Sequence, residues 1–259
     1  MTKSPEQNVG DEGTRPVVIK VGGRNLDSAR DLRTLCEFLI SMGDEADGVM
    51  LVHGASPDLD ALSGAIGSAD QISGGRWGEV EASMMVLCGL VNKRLVGCLS
   101  QGGLAALGFC GLDCGVLKTN FLNLDRLGRV GGPPRVSSTI ISQFLANKVI
   151  PVVAPICQGP DGGPVLVAAD TVAHAIAAAL GAGKLIFICD EPGITDQRGA
   201  VVEQLTKDRA YQLLQGARVA GELIPKVHAA LAALAAGVGR VLIGNLESLS
   251  AGTATEVIA

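Results

Sequence analysis

Near the start of the chain lies VVIKVGG (residues 17–23), an apolar run that is interrupted by one lysine and ends in two glycines. Continuous apolar, β-branched runs of this length are typical of strands buried on both faces of a parallel sheet. Two further runs behave alike: VMLVH (49–53) leads into GASP, and KLIFIC (184–189) leads into DEPG. Ligands of parallel α/β sheets collect at the carboxyl ends of strands. The sequence therefore predicts a functional site where these three strands end.

Helical patterns separate these strands. A long apolar helix is predicted over residues 79–99, an alanine-rich helix over 171–181, and another helix from Pro225. Residues 150–156 are predicted to form a strand that precedes a hairpin turn. This alternation predicts an α/β fold, a three-layer sandwich with a mainly parallel central sheet. Residues 1–15 are predicted to form a disordered tail. No linker divides the rest of the chain, so the two predicted lobes, residues 16–158 and 159–259, are expected to share one continuous sheet.

Composition excludes several classes of protein. The 259 residues are 47% hydrophobic and carry a net charge of −5, which excludes a disordered chain and disfavours nucleic acid and anionic membranes as partners. Aromatic residues make up only 3%, which argues against a base-stacking surface. The chain has no run of 18 apolar residues and no apolar signal core, so no membrane span and a cytoplasmic location are expected. The seven cysteines and three histidines are spread out, which predicts buried thiols and no metal site.

Common nucleotide-binding motifs are absent, but two lysines stand out. The sequence contains neither a P-loop nor a Gly-x-Gly-x-x-Gly turn after a strand, which disfavours P-loop enzymes and dinucleotide oxidoreductases. Lys20 lies within an otherwise apolar strand, and Lys226 lies in the first turn of a predicted helix. A cation at a helix N-terminus opposes the helix dipole. Lys226 is therefore either a solvated residue or a cation held toward phosphate oxygens.

The chain resembles the amino-acid kinase family, of the acetylglutamate kinase type, from about residue 16 to residue 259. The resemblance rests on short motifs that occur along this chain in the same order as in the family. They are IKVGG at 19–23, VHG at 52–54, GR at 75–76, MVLCGLVNKRLV at 85–96, GLD at 111–113, VG at 130–131, IPVV at 150–153, ADT at 169–171, DEPGI at 190–194 and GELIPKV at 221–227. Each motif is weak alone, and their order and spacing together carry the resemblance. The segment from Cys88 to Val96 also resembles the branch that acts on carrier-protein-linked aminoadipate or glutamate.

The resemblance implies transfer of the γ-phosphoryl group of ATP to a side-chain carboxylate, which yields an acyl phosphate. ATP and Mg²⁺ are the implied cofactors, with Mg²⁺ carried on the ATP phosphates rather than by a carboxylate cluster. The N-terminal lobe would bind the acceptor and the C-terminal lobe the nucleotide. The implied catalytic residues are Lys20, Lys226 and Asp170. The implied substrate-binding residues are Gly54, Ala55, Arg76, Leu166 and Ala168, and the implied ATP-binding residues are Gly22, Gly23, Asp190, Gly193, Ile194 and Gly221.

Two departures from the family pattern concern the acceptor. The family's His-Gly-Gly-Gly turn is replaced by His53-Gly54-Ala55-Ser56. The Cβ atoms of Ala55 and Ser56 restrict the backbone and crowd a phosphate. Two positions that are usually asparagine in acetylglutamate kinases are Leu166 and Ala168. A polar acceptor group that loses such a partner loses about 1–3 kcal/mol of binding. The acceptor is therefore expected to differ from plain acetylglutamate bound in the usual way.

Two alternatives stay open at this stage. One is a kinase for an aminoadipate or glutamate linked to an acidic carrier protein, which would dock near Arg76, Arg94, Arg126 and Arg129. The other is a catalytically weak binding homologue, motivated by the two departures and opposed by the retained lysines and aspartate. The resemblance places the chain in arginine or lysine biosynthesis. The tail is too short for an extra oligomerising helix, so a homodimer is expected.

Overall fold

A sheet of eight strands forms the centre of the molecule, and all its neighbouring strands but one pair run parallel. The computed structural model describes residues 15–42, 48–55, 61–62, 65, 78–196, 198–216, 219 and 221–258. In order across the sheet, the strands are β10 (Gln204–Thr206), β12 (Thr255–Ile258), β11 (Arg240–Gly244), β9 (Lys184–Ile188), β1 (Val17–Val21), β2 (Val49–His53), β6 (Ile150–Ala154) and β3 (Ala106–Cys110). The antiparallel pair is β11 with β12. The tail at residues 1–14, Ser56 and Arg76 lie outside the described residues.

A second, smaller sheet of four strands lies beside the first. Its order is β5 (Arg135–Val136), β4 (Leu117–Lys118), β7 (Ile156–Gln158) and β8 (Pro164–Leu166). Strands β7 and β8 form an antiparallel hairpin, with Ile156 opposite Leu166. The backbone of this hairpin continues directly into the helix that follows β8, so the small sheet positions the start of that helix.

Helices whose bounds lie within the described residues cover the sheets. They are α1 (Ala29–Ser41), α2 (Glu79–Gln101), α3 (Leu124–Leu127), α4 (Ser138–Ala146), α5 (Ala169–Leu180), α6 (Lys207–Gln215), α7 (Ile224–Ala235) and α8 (Leu246–Ala251). Local chemistry explains several ends: the Ser28 side chain caps α1, Pro225 lies in the first turn of α7, and Gly181 ends α5 in a left-handed conformation.

The core lies on both faces of the eight-stranded sheet. Val18 and Phe187 face one side, against α5 and α7, while Ile19 and Ile186 face the other side, against α1 and α2. The central strands are buried on both faces, as the continuous apolar runs predict. The three-layer α/β sandwich with a mainly parallel central sheet is therefore confirmed.

Helix α2 is long and apolar enough, by length and composition alone, to cross a membrane, a test that core helices also pass. In this structure it instead packs against α1, β3 and β6. Its middle turns, Met85–Val91, are a π-helix between the α-helical parts Glu79–Met84 and Asn92–Gln101. Such wide turns often occur at functional sites.

The strand predicted over residues 150–156 is in fact two strands. Pro155 lies between β6 and β7 and has no N–H group to donate to a sheet. The chain therefore leaves the large sheet after Ala154 and enters the small sheet at Ile156. The large sheet contains strands from both predicted lobes, and the lobe boundary at residue 158 stays a prediction.

Candidate active site

Two lysines and one aspartate meet at the carboxyl end of β1. The Lys20 Nζ atom lies 3.0 Å from Asp170 Oδ1, and Lys226 Nζ lies 3.7 Å from Asp170 Oδ2. All three residues are buried, with 7–8% of their surface exposed. These residues are about 150 and 56 positions apart in the chain, and the fold brings them into one charged cluster. They are the three residues that the resemblance implies as the catalytic set.

Secondary structure explains why these side chains converge. Lys20 lies on β1, between β2 and β9 in the sheet, while Asp170 and Lys226 lie in the first turns of α5 and α7. These two helices pack against each other, and both begin at this cluster. Helix N-termini carry partial positive charge and unpaired N–H groups, which favour a bound anion.

The cluster has an excess of positive charge. Two ammonium groups surround one carboxylate, and burial lowers the pKa of Lys20 because the charged form loses solvation. The Asp170 carboxylate raises that pKa in part, whereas Lys226 lowers it further. A buried cluster with a net positive charge is suited to stabilising the negative charge of a bound group.

Gly22 leaves room for the Lys20 ammonium group. A Cβ atom on Gly22 would lie 2.9 Å from Lys20 Nζ, whereas one on Gly54 would lie 3.9 Å from Lys20 Cε, an ordinary contact distance. The Gly54 N–H donates to the Val21 carbonyl oxygen at 2.9 Å, so it is already bonded within the protein.

A cavity of about 430 Å³ opens beside the cluster. It brings together four residues of the implied substrate-binding set: Gly54, Ala55, Leu166 and Ala168. Ala169, which also lines it, directly precedes Asp170 in the chain. The cavity and the charged cluster are therefore adjacent. The fifth residue of that set, Arg76, lies outside the described residues.

Other cavity walls come from residues that the sequence reasoning did not single out. Val86 and Leu87 come from the π-helical part of α2, Pro155 from the link between the sheets, and Val130 from the loop after α3. Ser83 adds a hydroxyl group. The motif at 85–96 was a signal for this helix, but nothing in its spacing identified the face that lines the cavity.

Three of the implied ATP-binding residues follow β9, which flanks β1 on the side opposite β2. Asp190, Gly193 and Ile194 form the turn after β9, where the Ile194 N–H donates to Thr255 Oγ1 at 2.8 Å. A Cβ on Gly193 would lie 2.6 Å from that same oxygen, and its φ is +156°, so only glycine fits. The turn is thereby fixed against β12.

The end of β9 and the loop before α7 both lie next to the cluster. Cys189 at the end of β9 is buried near both lysines, and burial raises the pKa of its thiol to about 11, while the two ammonium groups lower it in part. Lys226 Nζ donates to the Glu222 carbonyl oxygen at 2.9 Å, directly after Gly221. A cavity of about 410 Å³, lined by Arg198 and Arg209, follows the turn.

Metal ligands are not clustered in the part of the chain that the structure describes. No group of three or more His, Cys, Asp or Glu side chains is close enough there to hold a metal ion. All seven cysteines are free thiols.

The sequence is similar to a known protein family and to individual members of it. The family model described as "Amino acid kinase family" matches residues 15–245. The acetylglutamate kinase of Roseiflexus castenholzii is 41% identical over 239 residues, which cover 90% of each chain. The acetylglutamate kinase of Azorhizobium caulinodans is 32% identical over 243 residues, covering 88% of this chain and 81% of the relative.

Solved structures agree with these sequence relatives. A protein from Streptococcus mutans UA159 superimposes with a TM-score of 0.76 at 27% identity, covering 94% of this chain and 98% of that protein. Carbamate kinase from Giardia lamblia has a TM-score of 0.73 at 15% identity, covering 96% and 99%, which shows a shared fold alone. With the family model matching most of the chain and a relative above 40% identity, the chain belongs to the amino acid kinase family.

Proposed function

We propose that this protein is an ATP-dependent kinase that phosphorylates a side-chain carboxylate of an amino-acid derivative of the acetylglutamate type. The observation that carries the proposal is the buried cluster of Lys20, Asp170 and Lys226 beside a cavity of about 430 Å³. The close relatives named above are acetylglutamate kinases, and their identity extends over about nine-tenths of this chain.

The proposed reaction needs no general base. An acceptor carboxylate is ionised at neutral pH and attacks the γ-phosphorus of ATP, so that a carboxylate O–P bond forms while the bond to the β-phosphate oxygen breaks. Acyl phosphate and ADP are the products. Lys20 and Lys226 neutralise charge on the phosphoryl oxygens, and Asp170 holds both ammonium groups in position. Catalysis is then positioning and charge stabilisation.

ATP would bind on the C-terminal side, between the turn of residues 190–194 and the loop that precedes Lys226. The arginines of the neighbouring cavity, Arg198 and Arg209, add positive charge there. The Giardia carbamate kinase of similar fold was solved with AMP-PNP, an ATP analogue. Mg²⁺ would come with the ATP phosphates and neutralise their charge, which agrees with the lack of a carboxylate cluster in the described residues.

The acceptor would occupy the cavity on the N-terminal side. Leu166 and Ala168 make one wall apolar, and Val86, Leu87 and Val130 extend it. A polar acylamino group against this wall would lack partners unless water or another segment supplies them. An acceptor with an apolar portion at the wall is therefore a second candidate within the same class. Arg76 is proposed to hold the α-carboxylate.

The comparisons favour an acetylglutamate-type acceptor over a carrier-linked one. The carrier alternative needs free arginines, yet Arg129 donates to both oxygens of Asp161 at 2.8 and 2.9 Å. This pair offsets the charge that would attract an acidic carrier. The non-catalytic alternative is opposed by the geometry of the lysine–aspartate cluster.

A trapping assay tests the proposed function. Hydroxylamine converts an acyl phosphate to a hydroxamate, so hydroxamate should form only with ATP, Mg²⁺ and a suitable carboxylate. Acetylglutamate, acetylaminoadipate and carrier-linked acceptors should be compared side by side. Lys20→Ala serves as the inactive control. Release of ADP without hydroxamate, or no reaction with any acceptor, would overturn the proposal.

The wider setting follows from this activity. An acetylglutamate kinase acts in arginine biosynthesis, and a kinase for aminoadipate would act in lysine biosynthesis. We propose a cytoplasmic enzyme, since ATP and amino-acid precursors are found there. We also propose a homodimer, because β3 is an edge strand of the large sheet and exposes Leu107.

A further inference from the structure

A buried polar network lies behind the turn that lines the acceptor cavity. Asn92 is 1% exposed and His53 is fully buried, although both carry polar side chains. Buried polar groups are tolerated when their hydrogen bonds are made, and such networks fix one arrangement of the chain. The network joins β2, β6, β3 and α2, which are distant in sequence.

The orientation of the Asn92 amide is determined by its neighbours. Its Nδ2 atom donates to the Val152 carbonyl oxygen at 2.9 Å, and its Oδ1 atom accepts from Lys93 Nζ at 3.1 Å. A carbonyl oxygen only accepts and an ammonium group only donates. The NH₂ group therefore faces Val152, and its second hydrogen points to His53 Nε2 at 3.2 Å.

The same logic determines the tautomer of His53. Its Nδ1 atom lies 3.0 Å from the Gly54 carbonyl oxygen, which requires a hydrogen on Nδ1. Its Nε2 atom faces an amide that donates, which requires an unprotonated Nε2. The neutral Nδ1–H form satisfies both contacts. Burial and the nearby Lys93 ammonium lower the pKa of His53 to about 4, in agreement with a neutral ring.

The network ends at the acceptor cavity on two sides. The Gly54 carbonyl belongs to the peptide group that joins Gly54 to Ala55, and both residues line the cavity. On the other side, Asn92 directly follows the π-helical turns that carry Val86 and Leu87 into the cavity. Asn92 is thus linked to two parts of the cavity wall, to one through His53 and to the other through its own helix.

Packing around the amide leaves little freedom. A Cβ atom on Gly108 of β3 would collide with Asn92 Oδ1, so the strand approaches the amide without a side chain between them. Lys93 Nζ also donates to the Gly108 carbonyl oxygen at 3.0 Å. Both polar atoms of the Asn92 amide, Oδ1 and Nδ2, are hydrogen-bonded. If this side chain no longer donated a hydrogen bond to His53, the protonation of the His53 ring would therefore have to change.

We infer that Asn92 and His53 are positioning residues for the acceptor: the Asn92 amide selects the Nδ1–H tautomer of His53, which fixes the Gly54–Ala55 wall of the acceptor cavity. This inference rests on the proposed function, because it assigns that cavity to the acceptor carboxylate. It concerns binding of the acceptor and leaves the phosphoryl-transfer cluster unchanged.

The substitution Asn92→Asp tests the inference. Aspartate has almost the same size as asparagine, but its carboxylate only accepts hydrogen bonds. His53 must then carry a hydrogen on Nε2, either as the other tautomer or as the cation. Asn147→Asp is the matched control, because Asn147 is exposed at the C-cap of α4 and its amide also donates to a backbone carbonyl.

Two readouts separate positioning from a structural role. Histidine ¹⁵N chemical shifts should show Nδ1–H with unprotonated Nε2 in the wild type and Nε2–H in Asn92→Asp. Steady-state kinetics should show a rise of about tenfold or more in the acceptor KM, with the ATP KM changed by less than about twofold. A residue with a merely structural role would lower thermal stability and leave the ratio of the two KM values unchanged.

The outcomes are distinguishable. A wild-type His53 that carries its hydrogen on Nε2 overturns the inference, and this measurement needs no variant. A folded Asn92→Asp enzyme with an unchanged acceptor KM overturns it as well. If the wild type itself forms no acyl phosphate with any acceptor, the proposed function is wrong, which is a different result from an active wild type paired with an unaffected variant.

Discussion

Lys226 lies in the first turn of α7, where its ammonium group opposes the helix dipole and still remains buried. Asp170 is shared with Lys20, so neither lysine has a carboxylate to itself. An arrangement with one more cation than anion is unfavourable for an empty protein. It becomes favourable when a phosphoryl group adds negative charge between the two lysines.

Replacement of this lysine, Lys226→Ala, should lower kcat by about 10²–10³, because the lost cation meets charge that develops in the transition state. The ATP affinity should fall much less, since the remaining nucleotide contacts are kept. Steady-state kinetics and nucleotide titration measure the two effects. Lys207→Ala, at an exposed lysine in the first turn of α6, is the control. Normal turnover of Lys226→Ala would make this side chain a solvated first-turn lysine.

The buried His53 should also make stability depend on pH. Its folded-state pKa of about 4 lies below the ordinary value of 6.5, so the unfolded chain binds a proton that the folded chain does not. Stability from this group is fully present above about pH 6.5 and is lost as the pH falls toward 4, by about 3 kcal/mol in total.

Urea unfolding at a series of pH values checks this dependence. The free energy of unfolding of the wild type should fall more steeply between pH 6.5 and 4 than that of His53→Asn, whatever the absolute stability of the variant. Carboxylates and His174 titrate in both proteins, so the difference between the two curves isolates His53. Parallel curves would mean that His53 keeps an ordinary pKa in the folded state.

At this scale the sequence predicted some of the residues and not others. Lys20 and Lys226 stood out by position, in an apolar strand and in the first turn of a helix, whereas Asp170 was implied only by the family resemblance. Asn92 was not, because its partners lie 39 and 60 residues away and no periodicity reports such contacts. Contacts between distant segments depend on the fold, which must be known before the network can be seen.

Most elements formed where their local signals indicated. Strands β1 and β2 and helices α5 and α7 lie close to their predicted limits, because apolar runs, caps and glycines define them locally. The small sheet was predicted only in part: the hairpin turn that follows residues 150–156 corresponds to β7 and β8, whereas the two-residue strand β5 has no pattern of its own. The π-helical turns of α2 were missed because apolar residues there suit either kind of helix.

The turn after β9 leads to a prediction about the nucleotide. Ile194 and Gly193 are held against Thr255, so this turn forms a fixed wall near Cys189 and the two lysines. ATP should therefore bind between this turn and the loop that precedes α7. A crystal soaked with a non-hydrolysable ATP analogue should show its density there. Density confined to the surroundings of Gly54 would reverse the assignment of the two lobes.

The segment that joins β8 to α5 is expected to control which acceptor binds. Leu166 and Ala168 line the cavity, and Ala168 is also the N-cap of α5 without a side-chain capping bond. The double variant Leu166→Asn/Ala168→Asn should raise kcat/KM for acetylglutamate about tenfold, equivalent to about 1.4 kcal/mol, because it supplies amide partners to the polar acceptor.

An asparagine at this N-cap also stabilises the helix by about 1 kcal/mol, so a control is needed. Ala168→Ser caps α5 with a shorter side chain and should raise thermal stability without raising kcat/KM. The comparison separates capping from contact with the acceptor. Efficient wild-type turnover of acetylglutamate, with the double variant no better, would contradict the lost-contact explanation.

Over the whole molecule, the large sheet links the regions that contribute to the site. Its strand β1 lies between β2, which leads to the proposed acceptor cavity, and β9, which leads to the proposed nucleotide site. A parallel sheet places all three carboxyl ends at one edge, so acceptor and nucleotide can meet at Lys20. The order of strands thus explains why one lysine serves both substrates in the proposed reaction.

The edge of that sheet leads to a prediction about assembly. Strand β3 is terminal, and within the described part of the chain no strand pairs with its outer side. Leu107 on β3 is 41% exposed. Two charged side chains occupy part of this edge, since Lys93 Nζ donates to the Gly108 carbonyl oxygen and the Cys110 N–H donates to Asp113 Oδ2. An exposed edge strand still favours pairing with another strand, and a second copy related by a twofold axis offers the same edge. The protein should therefore be a dimer at micromolar concentration, and light scattering coupled to size exclusion should give twice the chain mass.

Leu107→Lys should shift the protein to a monomer, because a lysine opposes edge pairing. Leu127→Lys, at an exposed leucine of α3, should remain dimeric. A monomeric wild type, or a Leu107→Lys variant that stays dimeric, would place the contact elsewhere or remove it.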